Sequence, residues 1–235
     1  MKTLFLAIRA GDFDKVESLL DRKPELVGAI ASPPPKKDTG QQPLGVAIKT
    51  RHLAIAQLLL DRGADVNFIE AEGVEGRMPV IIDAIDACVA TVVGPAANEE
   101  RAASNLAFLR TMIDAGAVVT RAHPDTGNPL LVSAFRTVNY WATGPCDQAQ
   151  LDRLSAVFRV LIEAGADPDE PFEWVDVMAA TKERIPRGTV TPREALTKYY
   201  RQSFGELMLQ MLAMAEAEAP RRTTSRLGLF RRATR

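Results

Sequence analysis

The sequence repeats one short ending three times, and this repetition restricts the folds open to the chain. The ending reads Gly63-Ala64-Asp65, then Gly116-Ala117, then Gly165-Ala166-Asp167. Each glycine follows a stretch whose apolar residues have the spacing of one helix face, and a glycine just past a helix readily takes the left-handed conformation that ends it. A pair of short helices cannot bury its apolar face alone, so such units must stack on one another. The ending therefore predicts a helical repeat protein.

The most complete unit covers residues 42–67 and has a recognisable order of residues. It opens with Pro43, which suits the first turn of a helix because the N–H that proline lacks has no helical partner there. The sequence Pro-Leu-Gly-Val-Ala is followed by His52, a run of three leucines and the ending Gly-Ala-Asp-Val-Asn. This unit resembles the ankyrin repeat, with Arg51 at the position where that family usually has a glycine.

Parts of the same pattern recur along the chain. Pro79 and Pro129 open two further units, the segment from Leu4 to Leu20 forms a first unit without its proline, and the segment from Pro192 to Leu212 forms an atypical last one. The resemblance implies an all-α ankyrin-repeat solenoid of about five helix-turn-helix units in a domain spanning residues 1–219. A tetratricopeptide array is the alternative helical solenoid, and the Gly-Ala-Asp-Val-Asn ending counts against it.

Repeats three and four are longer than the family pattern, and in the same place. The opening proline and the closing glycine lie about 20 positions apart in the second unit but about 37 and 36 apart in the third and fourth. Both extensions contain a Gly-Pro pair, Gly94-Pro95 and Gly144-Pro145. We interpret each extension as two helices lengthened by about two turns and joined at the Gly-Pro break. The alternative is two loops without regular structure.

Three aromatic residues are candidate contacts for a partner protein, because aromatic side chains often anchor interfaces. Tyr140 lies off the apolar stripe of its helix, which Trp141 continues, so Tyr140 is predicted to be exposed and Trp141 to pack against the neighbouring hairpin. Phe172 and Trp174 lie in a long connection between repeats four and five. That connection is either a recognition loop or a segment that folds back to cover the last repeat.

The last 16 residues, 220–235, contain six arginines and no acidic residue. Such a segment is predicted to be a disordered basic tail, because it has too little apolar surface to order itself. It is either a solubilising end or a weak, salt-sensitive contact to nucleic acid or an anionic surface. A further possibility is that Leu229 and Phe230 dock into a pocket: with Arg226 they resemble the bacterial sliding-clamp-binding peptide, without its usual leading glutamine.

The residues that could carry catalysis are few, and no complete catalytic set is visible. His52 occupies a position that is normally structural in ankyrin repeats, and His123 is predicted to cap a turn or to be solvated. Asp83 and Asp86 share a helix face and are interpreted as a solvated or loop-pinning pair rather than an acid–base pair. Cys88 and Cys146 lack metal-ligand spacing, so both thiols are expected to be reduced. We predict no enzymatic activity, cofactor or metal site.

The sequence thus predicts a non-catalytic protein–protein interaction module whose protein partner it does not name. Its net charge of −1 gives no global attraction to nucleic acid, and no apolar stretch approaches the length of a membrane span, so a cytoplasmic protein is expected. One alternative is an accessory or inhibitory subunit whose long hairpins enter the site of an enzyme. Two others are an adaptor that contacts nucleic acid through its tail and an enzyme with a cryptic site.

Overall fold

A computed structural model describes residues 1–33, 38–71, 77–95, 97–177, 181 and 183–219. This part of the chain contains ten α-helices and two β-strands. The helices are α1 (Lys2–Ala10), α2 (Phe13–Arg22), α3 (Pro43–Lys49), α4 (Leu53–Asp61), α5 (Val80–Val93), α6 (Glu99–Asp114), α7 (Leu130–Trp141), α8 (Gln148–Glu163), α9 (Pro192–Lys198) and α10 (Gln202–Glu218). The strands are β1 (Phe172–Val177) and β2 (Arg184–Val190).

The helices follow one another as five consecutive pairs, and neighbouring pairs contact through like helices. The first helices contact in the order α1, α3, α5 and α7, while the second helices contact in the order α2, α4, α6, α8 and α10. One continuous apolar core runs through all five pairs. Each pair therefore covers the apolar face of the next, as stacked helical units require.

The long third and fourth units consist of lengthened helices, so this prediction is confirmed. Helices α5 and α6 have 14 and 16 residues, and α7 and α8 have 12 and 16, against seven and nine in α3 and α4. Gly94 directly follows the last residue of α5, and Gly144 lies in the turn between α7 and α8. Asn98 and Asp147 cap the second helices through backbone N–H groups three residues later.

The three repeated glycines have positive φ, as predicted. The angles are 83° at Gly63, 95° at Gly116 and 122° at Gly165. The residues that follow connect neighbouring units: the side-chain amide of Asn67 donates to the carbonyl of Gly116 (2.8 Å) and accepts from the N–H of Val118 (2.8 Å). The glycine endings therefore stop each second helix and place the next loop where it can bond to its neighbour.

A two-stranded antiparallel sheet corrects the all-α prediction. Strands β1 and β2 pair from Phe172 opposite Val190 to Val177 opposite Arg184, with an irregularity between Trp174 and Val175. The segment of β1 reads Phe-Glu-Trp-Val-Asp-Val, which is rich in aromatic and β-branched residues. The strand forms because Trp174 packs into a small cluster with Val190 on β2 and with residues of α7 and α9.

Backbone conformation gives a matched pair of stability predictions. Gly63 has open space where a side chain would stand, so Gly63→Val tests the positive φ alone and should lower the free energy of unfolding by about 1–2 kcal/mol. Arg51 is the one non-glycine residue with positive φ in the described part of the chain (63°), so Arg51→Gly should raise the free energy of unfolding by about 0.5–1 kcal/mol.

Urea unfolding of the two variants and the parent chain measures both changes. An unaltered midpoint for Gly63→Val, or a loss of stability for Arg51→Gly, would contradict the assignment of these positions as left-handed helix ends.

Candidate functional site

Tyr140, near the end of α7, is the most exposed large apolar side chain in the described residues. Its side chain is 72% exposed, and its ring stands edge-on to that of Trp141 at 5.0 Å between centroids. Exposed aromatic rings that lie on a rigid support lose little conformational entropy when they bind. The predicted exposure of Tyr140 is therefore confirmed, and its role in binding remains a prediction.

Trp141 supplies a rigid support because it is fixed to the neighbouring hairpin. Its indole Nε1–H donates to Oδ1 of Asp86 on α5 at 2.7 Å. Its ring also packs close to Gly94, where a Cβ atom would stand only 3.1 Å from Cε3 of Trp141. The prediction that Trp141 packs against the neighbouring hairpin is confirmed.

Trp174 folds back to cover the last helical pair, so its connection does not present Trp174 as part of a recognition loop. Its side chain is 5% exposed, and its ring stacks on Tyr199 at 4.3 Å between centroids and lies beneath the guanidinium of Arg136 at 5.7 Å. Phe172 is half-buried beside it at 6.0 Å. Little of the Trp174 side chain is therefore accessible to a partner. The other two candidates, Leu229 and Phe230, lie outside the described residues with the rest of the tail.

A large groove in the described part of the chain was not predicted from the sequence. It has a volume of about 1020 Å³ and lies between the end of α7, the start of α8 and the turn from α9 to α10. Tyr199, Tyr200 and Phe204 form much of one wall, and Cys146 lies on the other. The adjacent tyrosines at the end of the short α9 were the available signal, but their neighbours come from helices about 50 residues earlier.

A comparison with family models identifies one of the helical units. Residues 39–70, which hold α3, α4 and the loop that follows, match the model described as "Ankyrin repeat". The chain contains an ankyrin repeat. The resemblance drawn from residues 42–67 is thereby confirmed for this unit. A comparison with curated proteins gives no match.

His52 of the ankyrin repeat connects that repeat to the first helical pair. A ring nitrogen of His52 lies 3.4 Å from the carbonyl oxygen of Arg9. The ring also packs on Gly11, where a Cβ atom would stand 2.7 Å from Cε1 of His52. His52 therefore has the structural position that the family resemblance implied.

His123 also holds a turn, as one of its two predicted roles required. Its side chain is buried, and Nδ1 accepts the backbone N–H groups of Asp125 (3.1 Å) and Thr126 (3.3 Å). Burial lowers the pKa of His123, so its ring is neutral at pH 7. A neutral ring suits this arrangement, since Nδ1 must be an acceptor.

Asp83 and Asp86 have different direct partners, Lys49 and Trp141, although the charge of Asp86 also helps to raise the pKa of Asp83. Lys49, the last residue of α3, places its Nζ 2.5 Å from Oε1 of Glu70 and 3.5 Å from Oδ1 of Asp83. The second oxygen of Glu70 accepts the N–H of Met78 at 3.1 Å, so this group pins the loop before α5. Burial, with the neighbouring charge of Glu70, raises the pKa of Asp83 to about 7, against the attraction of Lys49. The ammonium group of Lys49 thus contacts the carboxyl groups of both Glu70 and Asp83.

Both cysteines are free thiols, as expected. Cys88 is fully buried in α5, and burial raises its pKa to about 12. Cys146 is half-buried, and burial raises its pKa as well. Within the described ranges, no group of three or more His, Cys, Asp or Glu side chains is placed to hold a metal ion. None of the helices described is long and apolar enough to cross a membrane.

The raised pKa of Asp83 gives a prediction about pH. The native state keeps the Asp83 proton up to about pH 7, whereas the unfolded chain releases it near pH 3.8, so Asp83 costs the native state stability as pH rises between these values. Asp83→Asn removes this loss. The free energy of unfolding of the Asp83→Asn variant minus that of the parent chain should therefore rise by on the order of 2 kcal/mol from pH 5 to pH 8.

Urea unfolding of both chains at four pH values measures the difference, in which the titration of His123 cancels. A relative stability that is constant with pH, or that falls, would show that Asp83 is ionised throughout.

The neighbouring aromatics Tyr140 and Trp141 should differ sharply in their effect on stability. Trp141→Ala should lower the free energy of unfolding by about 2–4 kcal/mol, because it empties a packed position and leaves Asp86 without its donor. Tyr140→Ala should change it by less than about 0.5 kcal/mol, since the ring is exposed. Thermal and urea unfolding test both, and equal losses would mean that Tyr140 is part of the fold rather than free for binding.

Proposed function

We propose that the chain is a non-catalytic protein-binding module in which about five ankyrin-type helical pairs form one solenoid over residues 1–219. One pair matches the ankyrin repeat, which is a protein-interaction unit. The other four pairs have the same helix order, and the two long ones end in the same glycine conformation. The basic segment 220–235 would follow this domain as a separate tail. Two free cysteines are consistent with our proposal of a cytoplasmic location.

The observation that carries the proposal is the exposed ring of Tyr140 on the fixed indole of Trp141. A tyrosine contributes a large apolar face and a hydroxyl group, which is why tyrosines are common at the energetic centre of interfaces. The hydrogen bond from the indole of Trp141 to the carboxylate of Asp86 fixes the indole beside Tyr140 to α5 as well as to its own helix, α7. A partner protein that covers Tyr140 would therefore meet a surface that is already ordered.

A second candidate function, that of an accessory or inhibitory subunit, is favoured by the length of the helices in units three and four. Lengthened helical hairpins give a rigid projection of the kind that could enter the site of an enzyme. This function predicts one tight partner whose activity changes when the chain binds. Assay of the captured partner, with and without the chain, separates an inhibitor or activator from a passive interaction module.

Site-specific cross-linking tests the binding role of Tyr140. A photoreactive phenylalanine analogue at position 140 of the full chain, expressed in its native host, should form a covalent product with one partner. The same analogue at Ser104, exposed on α6, serves as the control. With the purified partner, Tyr140→Ala should raise Kd by about 30-fold, and Tyr140→Phe should retain most of the affinity.

Calorimetric titration of the purified partner against the parent chain and both variants gives these dissociation constants. If every protein that is cross-linked at position 140 binds the parent chain and Tyr140→Ala equally well once purified, Tyr140 is not the contact and the proposal fails for this surface.

A further inference from the structure

The groove beside α10 results from unequal helix lengths in the last two pairs. Helix α7 has 12 residues and α8 has 16, whereas α9 has only seven. The short α9 leaves the end of α7 and the start of α8 uncovered, and the turn from α9 to α10 faces them across the groove of about 1020 Å³. The groove is therefore open to solvent rather than an enclosed cavity.

The base of the groove is apolar and aromatic. Leu151 from α8 and Phe204 from α10 reach it with 6% and 9% of their surface exposed, and Leu207 is half-buried beside them. The rings of Tyr200 and Phe204 lie 5.2 Å apart between centroids, and Tyr200 in turn packs edge-on against Trp174. A large apolar side chain placed here would contact several ordered rings and aliphatic groups.

The rim of the groove is polar, and the one charged side chain on it is positive. Arg201 is the one charged residue among those that line the groove, and its exposed guanidinium makes no hydrogen bond or ion pair within the part of the chain that the structure describes. The side chains of Asn139, Ser203 and Gln210 are exposed on the same rim, and they too form no side-chain hydrogen bond with the described residues. The rim therefore offers an unused cation and several unused hydrogen-bonding groups.

We propose that this groove binds a peptide segment of a partner protein that carries a large apolar side chain next to one or two carboxylates. The apolar side chain lies against Leu151, Phe204 and Leu207, and a carboxylate pairs with Arg201. The proposal rests on the proposed protein-binding function and adds the chemistry of the partner.

The charge of the groove favours an acidic peptide over other occupants. The chain's own tail has six arginines, and Arg201 would repel it. A nucleic acid is bound through many phosphate contacts, and one lining arginine supplies too few. An acidic peptide has the complementary charge, and pairing with it would satisfy a cation that has no partner within the described part of the fold.

Cys146 provides a direct reporter of occupancy, because it lines the groove and is partly exposed. The other thiol, Cys88, is fully buried. A small thiol reagent should therefore modify the folded chain at Cys146, and a peptide in the groove should slow this reaction. Cys146→Ser should abolish the fast labelling and so confirm the site of modification.

The test begins with random 12-residue peptides displayed on phage and selected on the full-length chain. The expected winners combine Phe, Leu or Trp with neighbouring Asp or Glu, and the synthetic peptides slow labelling of Cys146 at least fivefold. Arg201→Glu should weaken their binding about tenfold, and Arg110→Glu, the same charge change at an exposed position on α6, should leave it unchanged. Leu207→Arg should also abolish protection of Cys146.

Several outcomes would overturn the proposal. Selected peptides that lack acidic residues, that bind Arg201→Glu as well as the parent chain, or that leave Cys146 unprotected would each do so. If removal of residues 220–235 speeds the labelling of Cys146, the groove holds the chain's own tail instead. Failure here with retained, Tyr140-dependent binding of a partner would reject the groove and leave the proposed function intact.

Discussion

The fold depends on the burial of α5, the central helix of the chain. Eleven of its 14 residues are buried, and it contacts α3, α6, α7 and α8. An isolated helix of this composition would expose apolar surface on every side, so it is stable only when its neighbours surround it. The preceding unit and the following unit are therefore held together through a helix that belongs to neither. Lengthening α5 by two turns requires longer neighbours, and α6, α7 and α8 are long as well.

The polar residues of α5 determine how those neighbours are placed. Asp83 contacts Lys49 at the end of α3, and Asp86 accepts the indole N–H of Trp141 at the end of α7. On α6, Asn105 donates its side-chain amide to Thr91 (3.1 Å). Apolar packing alone tolerates small shifts between helices, whereas buried polar contacts must be satisfied at particular positions. Each of these three contacts thus ties α5 to a different helix at a defined position.

The features that could be predicted from the sequence are those encoded by local residues. The glycine ending, the opening proline and the lengthened helices all have short-range causes, and the structure confirms them. The hairpin of β1 and β2 was not predicted, because Phe172 and Trp174 were assigned to a connection between repeats. The alternation of these aromatic residues with β-branched neighbours is nevertheless typical of a strand. The hydrogen bond between Trp141 and Asp86 spans 55 residues, so the spacing of Asp83 and Asp86 alone did not reveal that the two carboxylates have different partners.

The same long-range dependence explains why the two surfaces proposed for binding differ in how far the sequence reveals them. Tyr140 is visible because an aromatic residue off the apolar stripe of one helix is expected to be exposed, and that helix alone decides it. The groove is formed by the mismatch in length between α7 and α9 and by residues from three helices and the two turns between them, so no single segment carries its signal. Asn139 lines the groove and Tyr140 follows it on α7, so both surfaces depend on the position of one helix end. The hydrogen bond from Trp141 to Asp86 fixes that end to the buried helix α5, and α5 therefore contributes to the geometry of both surfaces.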